Sequence, residues 1–458
     1  MKNTNTASLL ADLREGRNLS TQVQSQLILL LSGPAILAQL SVTIMPLIDA
    51  GMAGSLGADA AASIGLVSSS TWLIHGSCTG AVYGFSVQCA QAIGAKDKNA
   101  VCLSRQGLYL ALAIGLLIGL LGILLSPYIP VWLGGESSIL SDSTKYLAVF
   151  CLSLPFVLLN SWAVQMLQSA GNTRLPSLIQ IVMCFLDVLF NYLFIFIMDL
   201  GVMGAALGTC LAEVCSSLFL SYHVLFKDPF LKGSLKPHYT RTSIRRAWQI
   251  GLPASIEQII TGSSYVMFTR IVSSLGSISI AANSFAITAE SLCYMPGYGC
   301  AAAASVIIGQ CSGAGRIDLQ KQMAWRICRI GVFMMTLSGV AMFILAPYLM
   351  GMLTPVPEIA QLGIQVLRIE AFAEPMYGVS IVITGILRGK GDTFWPAILN
   401  LLSIWCVRIP LAALLSVPLG LFGAWIAMNI ELNFRGLIFL IRLKKTFSKD
   451  SGMKTNTM

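Results

Sequence analysis

Eight acidic side chains, Asp49, Asp187, Glu213, Glu257, Glu290, Glu370, Glu374 and Glu431, fall inside apolar runs of this chain, with Arg270, Arg368 and Arg408 among the bases so placed. An ionisable group in hydrocarbon is costly, so each is a candidate for function. The excess is negative, and a lining of that sign attracts cations and repels anions. Carboxyls in such a setting can also take up and release protons. Asp49 is the leading candidate for ion or proton coupling. Pro46, three residues before it, removes the N–H that would satisfy the Val42 carbonyl, so a helix kink is expected there. The alternative is a carboxyl satisfied by a neighbouring hydroxyl. Asp187 and Asn191 are four residues apart and share a helix face, which offers one carboxylate and one amide to the same site.

In the second half of the chain, Glu257 lies four residues past Pro253, Glu290 stands in an apolar run, and Glu374 precedes Pro375. These three are expected to face a substrate cavity, with helix-end or paired carboxylates as the alternative. Tyr294, Met295, Tyr298 and Tyr377 are candidate aromatic and thioether contacts for varied ligands, with core packing the equal alternative. Glu213 and Glu431 occupy near-equivalent positions of two spans and read at least as well as acids paired within the bundle as they do as cavity residues. Arg408 is expected to bridge to Glu374 or Glu290, and Arg270 and Arg368 to snorkel. His75 reads as a packed core histidine, or else a proton relay.

The elements that carry these residues follow from composition. Of 458 residues, 55% are hydrophobic and 11% charged, with mean hydropathy +0.76, whereas soluble domains carry about 25% charged residues. A soluble protein is excluded. Runs of about 20 apolar residues predict twelve membrane-spanning helices, near 26–54, 60–90, 103–130, 145–169, 176–198, 202–226, 245–272, 280–308, 323–350, 363–387, 395–416 and 420–442. The 29 Lys and Arg against 20 Asp and Glu give a net charge of +9, but its distribution argues against nucleic acid. Twenty-five of the 29 lie in the termini, in alternate gaps or in the helix segments bordering them, which places both termini in the cytoplasm by the positive-inside rule. The expected location is the cell (inner) membrane, multi-pass. The first 25 residues read as a polar cytosolic lead-in. The twelve cysteines form no CxxC pair and mostly lie within or beside apolar runs, so they read as packing residues. Gly115-x-x-x-Gly119 is expected to let two helices approach closely.

The longest polar stretch, Lys227 to Arg246, falls midway and prompts a search for a repeat. At an offset of 219, Pro34-Ala35 matches Pro253-Ala254, Leu56-Gly57 matches Leu275-Gly276, and Gln91-x-x-Gly94-Ala95 matches Gln310-x-x-Gly313-Ala314. At 220, Gly171-x-Thr173-x-x-Pro176 matches Gly391-x-Thr393-x-x-Pro396. The fold class expected is all-α integral membrane, with two parallel six-helix repeats and a cleft between them. The division is a cytosolic segment 1–25, a first lobe 26–226, a linker 227–244, a second lobe 245–442 and a tail 443–458. Asp49 has Phe268 as its repeat counterpart, so the repeat itself needs no acid there.

Several motifs together resemble the multidrug and toxic compound extrusion (MATE) transporters from about Leu30 to about Lys444. They are Pro34 followed by Asp49 and Gly54-x-x-Gly57, Gln91-Ala92-Ile93-Gly94-Ala95, Gly309 to Gly315, Leu387 to Thr393, and Gly204-Ala205-Ala206. Ser291 to Gly299 and Arg408-Ile409-Pro410-Leu411 resemble the proton-coupled bacterial branch more closely than the sodium-coupled one. The resemblance implies two six-helix lobes around a central cavity and export of organic cations or amphipathic compounds against an inward flow of H+ or Na+. The family commonly shows Asn then Asp where this chain has Asp187 then Asn191, so the charge is moved by about one helical turn. Residues matching the second-lobe acids of the sodium-type members are missing.

The Gly-rich turns lack the Walker Lys-Ser/Thr pair, and no HExxH or GxSxG signal lies in a span, so neither ATP, another cofactor nor an enzyme activity is expected. The reading is an ion-coupled antiporter, most simply a monomer. Its rivals are a lipid-linked oligosaccharide flippase, whose anionic cargo would call for interior bases, and a non-transporting receptor or scaffold, which leaves the buried acids unexplained.

Overall fold

The computed structural model describes residues 6–15, 17, 19–234 and 240–455; of the loop and tail cations, Lys2 and Lys236 lie outside them. The described residues fold into helices without a strand. In order these are α1 (Thr6–Arg14), α2 (Thr21–Gly54), α3 (Ala58–Gly94), α4 (Asn99–Leu125), the short α5 (Ile129–Trp132), α6 (Ser137–Ser169), α7 (Arg174–Tyr192) and α8 (Gly201–Tyr222). After the linker come α9 (Arg241–Ser273), α10 (Ser277–Cys293), α11 (Met295–Gly313), α12 (Ile317–Leu353), α13 (Pro357–Glu370), α14 (Glu374–Lys390), α15 (Phe394–Ser403), α16 (Ile409–Leu419) and α17 (Leu421–Thr455). Each of the twelve expected spans is occupied by one helix or one interrupted helix. Among the described residues eight helical stretches, some of them including a π turn, are long and apolar enough to cross a membrane, and the bent pair α10–α11 is a ninth.

Three expected spans are interrupted, each for an identifiable reason. The eighth breaks at Tyr294 with a 43° bend, because Pro296 lacks the N–H that would continue the ladder of α10 and its ring clashes with the preceding turn. The tenth breaks at Ala371–Ala373, and α14 restarts with Pro375 in its first turn, the position where proline costs least. In the eleventh, Pro410 follows a π-helical turn, Ile404–Arg408, between α15 and α16. By contrast α2 runs unbroken past both Pro34 and Pro46.

The chain forms two compact units, residues 37–255 and residues 256–458 together with 1–36. They divide inside α2 and α9, 219 residues apart, at the offset of the sequence repeat. The repeat extends to backbone conformation. Gly171 and Gly391 have φ of 91° and 90°, and Gly57 and Gly276 have φ of 114° and 96°, a region closed to most side chains. Repeat glutamines end α3 and α11: Arg246 donates to Gln91 Oε1 at 2.7 Å in one unit, and Arg14 donates to Gln310 Oε1 at 3.1 Å in the other.

The core of the first unit gathers Val82, Phe85, Leu108, Trp162, Met166 and Ala247. Glycines set its helix spacing. A methyl on Gly115 would meet the Pro155 Cα at 2.7 Å, and one on Gly119 the Cys151 carbonyl at 2.7 Å, so α4 and α6 approach as the Gly115–Gly119 spacing predicts. The fully buried Arg105 of α4 donates to the carbonyls of Leu231 at 3.0 Å and Ser234 at 3.3 Å, tying down the linker.

The second unit contains an element that differs from the expected polar lead-in. Residues 6–14 form α1, whose Leu9, Leu10 and Leu13 are buried with Leu27, Ile307, Cys311, Leu443 and Phe447. The three- and four-residue leucine spacing is an amphipathic signal, short enough to be hidden by the surrounding polarity. His75 also departs from expectation: its side chain is exposed rather than packed in the core.

Candidate functional site

The first-unit site is assembled where α2, α7 and α8 meet. Asp187 and Asn191 stand on one face of α7 and are fully buried, and Asp49 of α2 is half-buried. The Asn191 amide bridges the two acids: its Nδ2 donates to Asp49 Oδ1 at 2.9 Å and to Asp187 Oδ2 at 3.2 Å. The carboxyls of Asp49 and Asp187 lie within reach of one another, and Thr209 of α8 is beside Asp187. Among the described residues, Asp187 Oδ1 and Asn191 Oδ1 have no hydrogen-bond partner.

Tight helix approach makes this possible. A methyl on Gly208 of α8 would overlap Asn191 Oδ1 and sit 2.7 Å from the Asn191 backbone nitrogen. Glycine is therefore required opposite the amide. One turn away, a methyl on Gly204 would lie 2.8 Å from the Phe194 carbonyl. The apolar composition supplies the helices, and the glycines bring polar groups into contact. Two carboxyls facing a neutral amide contain no internal cation, so a single shared proton would relieve their repulsion in this low-dielectric setting.

Beside this trio, Glu213 is accounted for by pairing. Asn160 donates to Glu213 Oε2 at 2.9 Å and accepts from Ser216 at 3.0 Å.

In the second unit the acids divide into two kinds. Glu257 has both oxygens engaged, accepting from Arg388 at 2.8 Å and from Asn400 at 2.7 Å. Glu431 accepts from Arg408 at 2.7 Å and from Arg435 at 2.7 Å. This corrects the expectation for Arg408: its partner is Glu431, on α17, the helix against which the π turn at 404–408 packs. Arg368, expected to snorkel, has its guanidinium over the Phe343 ring at 5.2 Å from the centroid.

The remaining acids are differently placed. Glu370 and Glu374 flank the break between α13 and α14. Both are essentially fully buried, and among the described residues none of their four carboxyl oxygens has a hydrogen-bond partner. Glu374 occupies the first turn of α14, where the helix dipole favours negative charge. Discontinuous spans of this type place ion and substrate groups in secondary transporters. Glu370 was visible as a span acid, but the break that pairs it with Glu374 was not.

Glu290 lines a cavity of about 20 Å³ with Tyr265, Tyr377 and Arg408, room for about one water molecule. Tyr294 stacks edge-on against Tyr298 at 5.7 Å and Tyr377 at 5.6 Å. Tyr298 is exposed, whereas Met295 is buried and packs inside the unit.

A family model described as MatE matches residues 34–193 and again 253–414, two copies whose starts are separated by the repeat offset. The chain belongs to the MatE family. Similar curated MATE relatives include "Probable multidrug resistance protein NorM" of Thermotoga maritima, 28% identical over 408 residues with 86% of each chain covered. The protein of that name from Halalkalibacterium halodurans is 25% identical, covering 93% of this chain and 95% of the relative. Among solved structures, MATE in the straight conformation superposes with a TM-score of 0.90 at 21% identity, covering 98% of this chain and 99% of that one. An outward-facing multidrug resistance MATE transporter of the MOP superfamily gives the same score, identity and coverage. These neighbours show the fold: a multi-pass membrane protein of two six-helix lobes.

Proposed function

We propose that this MATE chain is a multidrug efflux transporter that exports organic cations in exchange for protons by alternating access. The observation that carries the reading is the Asn191 amide joining Asp49 to Asp187. The buried excess of acid favours cationic cargo. A proton is favoured over sodium because one proton shared between the two carboxyls removes their repulsion outright, whereas sodium needs a full shell of oxygen ligands. Arg408 and Arg435 are already committed to Glu431, which leaves little interior positive charge for an anionic lipid-linked sugar.

In the proposed cycle the Asp49–Asp187 pair takes up a proton from outside, α2 rearranges near Pro46, and the cation leaves. Deprotonation to the cytosol resets the protein. Glu290, Glu374, Tyr294, Tyr298 and Tyr377 contact substrate in this scheme, while Glu257 holds Arg388 and Asn400 in place. The protein acts as a monomer in the cell (inner) membrane with both termini cytoplasmic.

The test is ethidium uptake into everted vesicles energised in turn by a proton gradient and a sodium gradient. Uptake driven by the proton gradient and collapsed by a protonophore is expected. Uptake that survives the protonophore and requires sodium would overturn the coupling assignment.

A further inference from the structure

The described residues of the second unit contain a basic cleft with no part in the proposed transport site. Its volume is about 490 Å³, and it is lined by Thr21 and Gln24 at the start of α2 and by Lys321, Trp325, Arg326 and Arg329 on α12. No carboxylate lies among its lining residues. Lys321 and Arg329 are exposed, whereas Arg326 is half-buried and donates to the Thr21 carbonyl and, at 3.3 Å, to Ser25. Gln24 donates to Gln322 at 3.3 Å, which joins the two helices at the cleft floor. The N-terminus of the 34-residue α2, the positive end of its dipole, opens on the same cleft.

The helix continues this cleft into an apolar strip. At helical spacing Arg326 and Arg329 share one face with Phe333, Leu337, Val340 and Ile344. Those four apolar side chains are 69%, 61%, 52% and 62% exposed. A ligand that fills both features has a negative head and a hydrocarbon tail. Trp325, at the junction, is the residue type favoured at the headgroup boundary. Basic pockets between membrane helices bind anionic headgroups on physical grounds.

We propose that this cleft is a binding site for an anionic phospholipid, with the headgroup phosphate held by Lys321, Arg329 and the α2 N-terminus and an acyl chain lying along Phe333 to Ile344. The arrangement ties the start of α2 to α12 through a lipid as well as through Arg326.

The experiment uses the purified full chain in detergent, with bound lipid counted by native mass spectrometry and thermal midpoints measured in parallel. Phosphatidylglycerol, cardiolipin, phosphatidylcholine of matched chains and sodium phosphate are the four probes. The anionic lipids should bind the wild type more tightly than phosphatidylcholine and raise its midpoint. In the double variant Lys321→Ala/Arg329→Ala, which spares Arg326, their affinity should fall about 25-fold, about fivefold for each charge removed, with phosphatidylcholine unaffected. Independently of any variant, binding to the wild type should weaken between about 0.1 M and about 1 M salt. Equal affinity for anionic and zwitterionic lipid, no loss in the double variant, or equal stabilisation by inorganic phosphate at the same concentration would overturn the proposal.

Discussion

Replacing Gly208 by alanine should disable the first-lobe site without removing any polar group. The added carbon lies 2.7 Å from the Asn191 backbone nitrogen, where ordinary contact begins at 3.4 Å, and overlaps Asn191 Oδ1 as well. The helices must therefore part by about 0.7 Å. Asn191 is the group struck, so displacing its amide disturbs the 2.9 Å bond to Asp49, whose strength depends on distance and alignment. Overpacking costs about 1–3 kcal/mol, and losing a hydrogen bond to a charged acceptor adds about 1.5–3 kcal/mol. Alanine's better helix propensity offsets at most about 1 kcal/mol, so the net effect is destabilising.

Gly65 on α3 is the internal control. Nothing lies within 4 Å of a methyl built there, so Gly65→Ala should be neutral or slightly stabilising. The assay is ethidium resistance in cells matched for expression, together with the thermal midpoint of purified protein. Gly208→Ala should approach the empty-vector resistance with a lowered midpoint, while Gly65→Ala matches wild type. Wild-type resistance and midpoint in Gly208→Ala would refute the contact between α8 and the Asn191 amide.

Asp49→Asn should insert and fold, because it keeps shape and a hydrogen bond to Asn191, but cells expressing it should be as drug-sensitive as vector controls. Ethidium and tetraphenylphosphonium should compete for export while anionic dyes of similar size do not; an anion exported faster than either cation would defeat the charge argument. Glu257→Gln should cost about 1–3 kcal/mol by replacing the charged acceptor of Arg388 with a neutral one. The double variant Glu257→Gln/Arg388→Gln should recover much of that loss in a thermal-melt double-mutant cycle, and additive losses would count against the pair.

Much of this arrangement was legible before any coordinates. Twelve helices follow from apolar runs because lipid leaves the backbone few alternatives. The repeat was legible because glycines such as Gly171 and Gly391 serve left-handed turns in both halves. Asp49, Asp187 and Asn191 stood out because polar groups in spans are rare. Distinguishing Glu257 from Glu374 was beyond sequence reasoning. Both are span acids within about a turn of a proline, yet one is met by Arg388 from 131 residues away and the other has no ion-pair partner among the described residues. That difference depends on which helices pack together, as does the choice of Glu431 for Arg408. The α1 helix was missed because its three leucines stabilise a helix only against a partner supplied by the second lobe.

The central claim is that the Asp49–Asn191–Asp187 group exchanges a proton for a cation. It is tested most directly by adding tetraphenylphosphonium to purified protein in weak buffer with a pH-sensitive dye. The account predicts release of about one proton per cation bound by wild type, and none by Asp49→Asn or Asp187→Asn. Binding without proton release in wild type, or equal release by both variants, would contradict it.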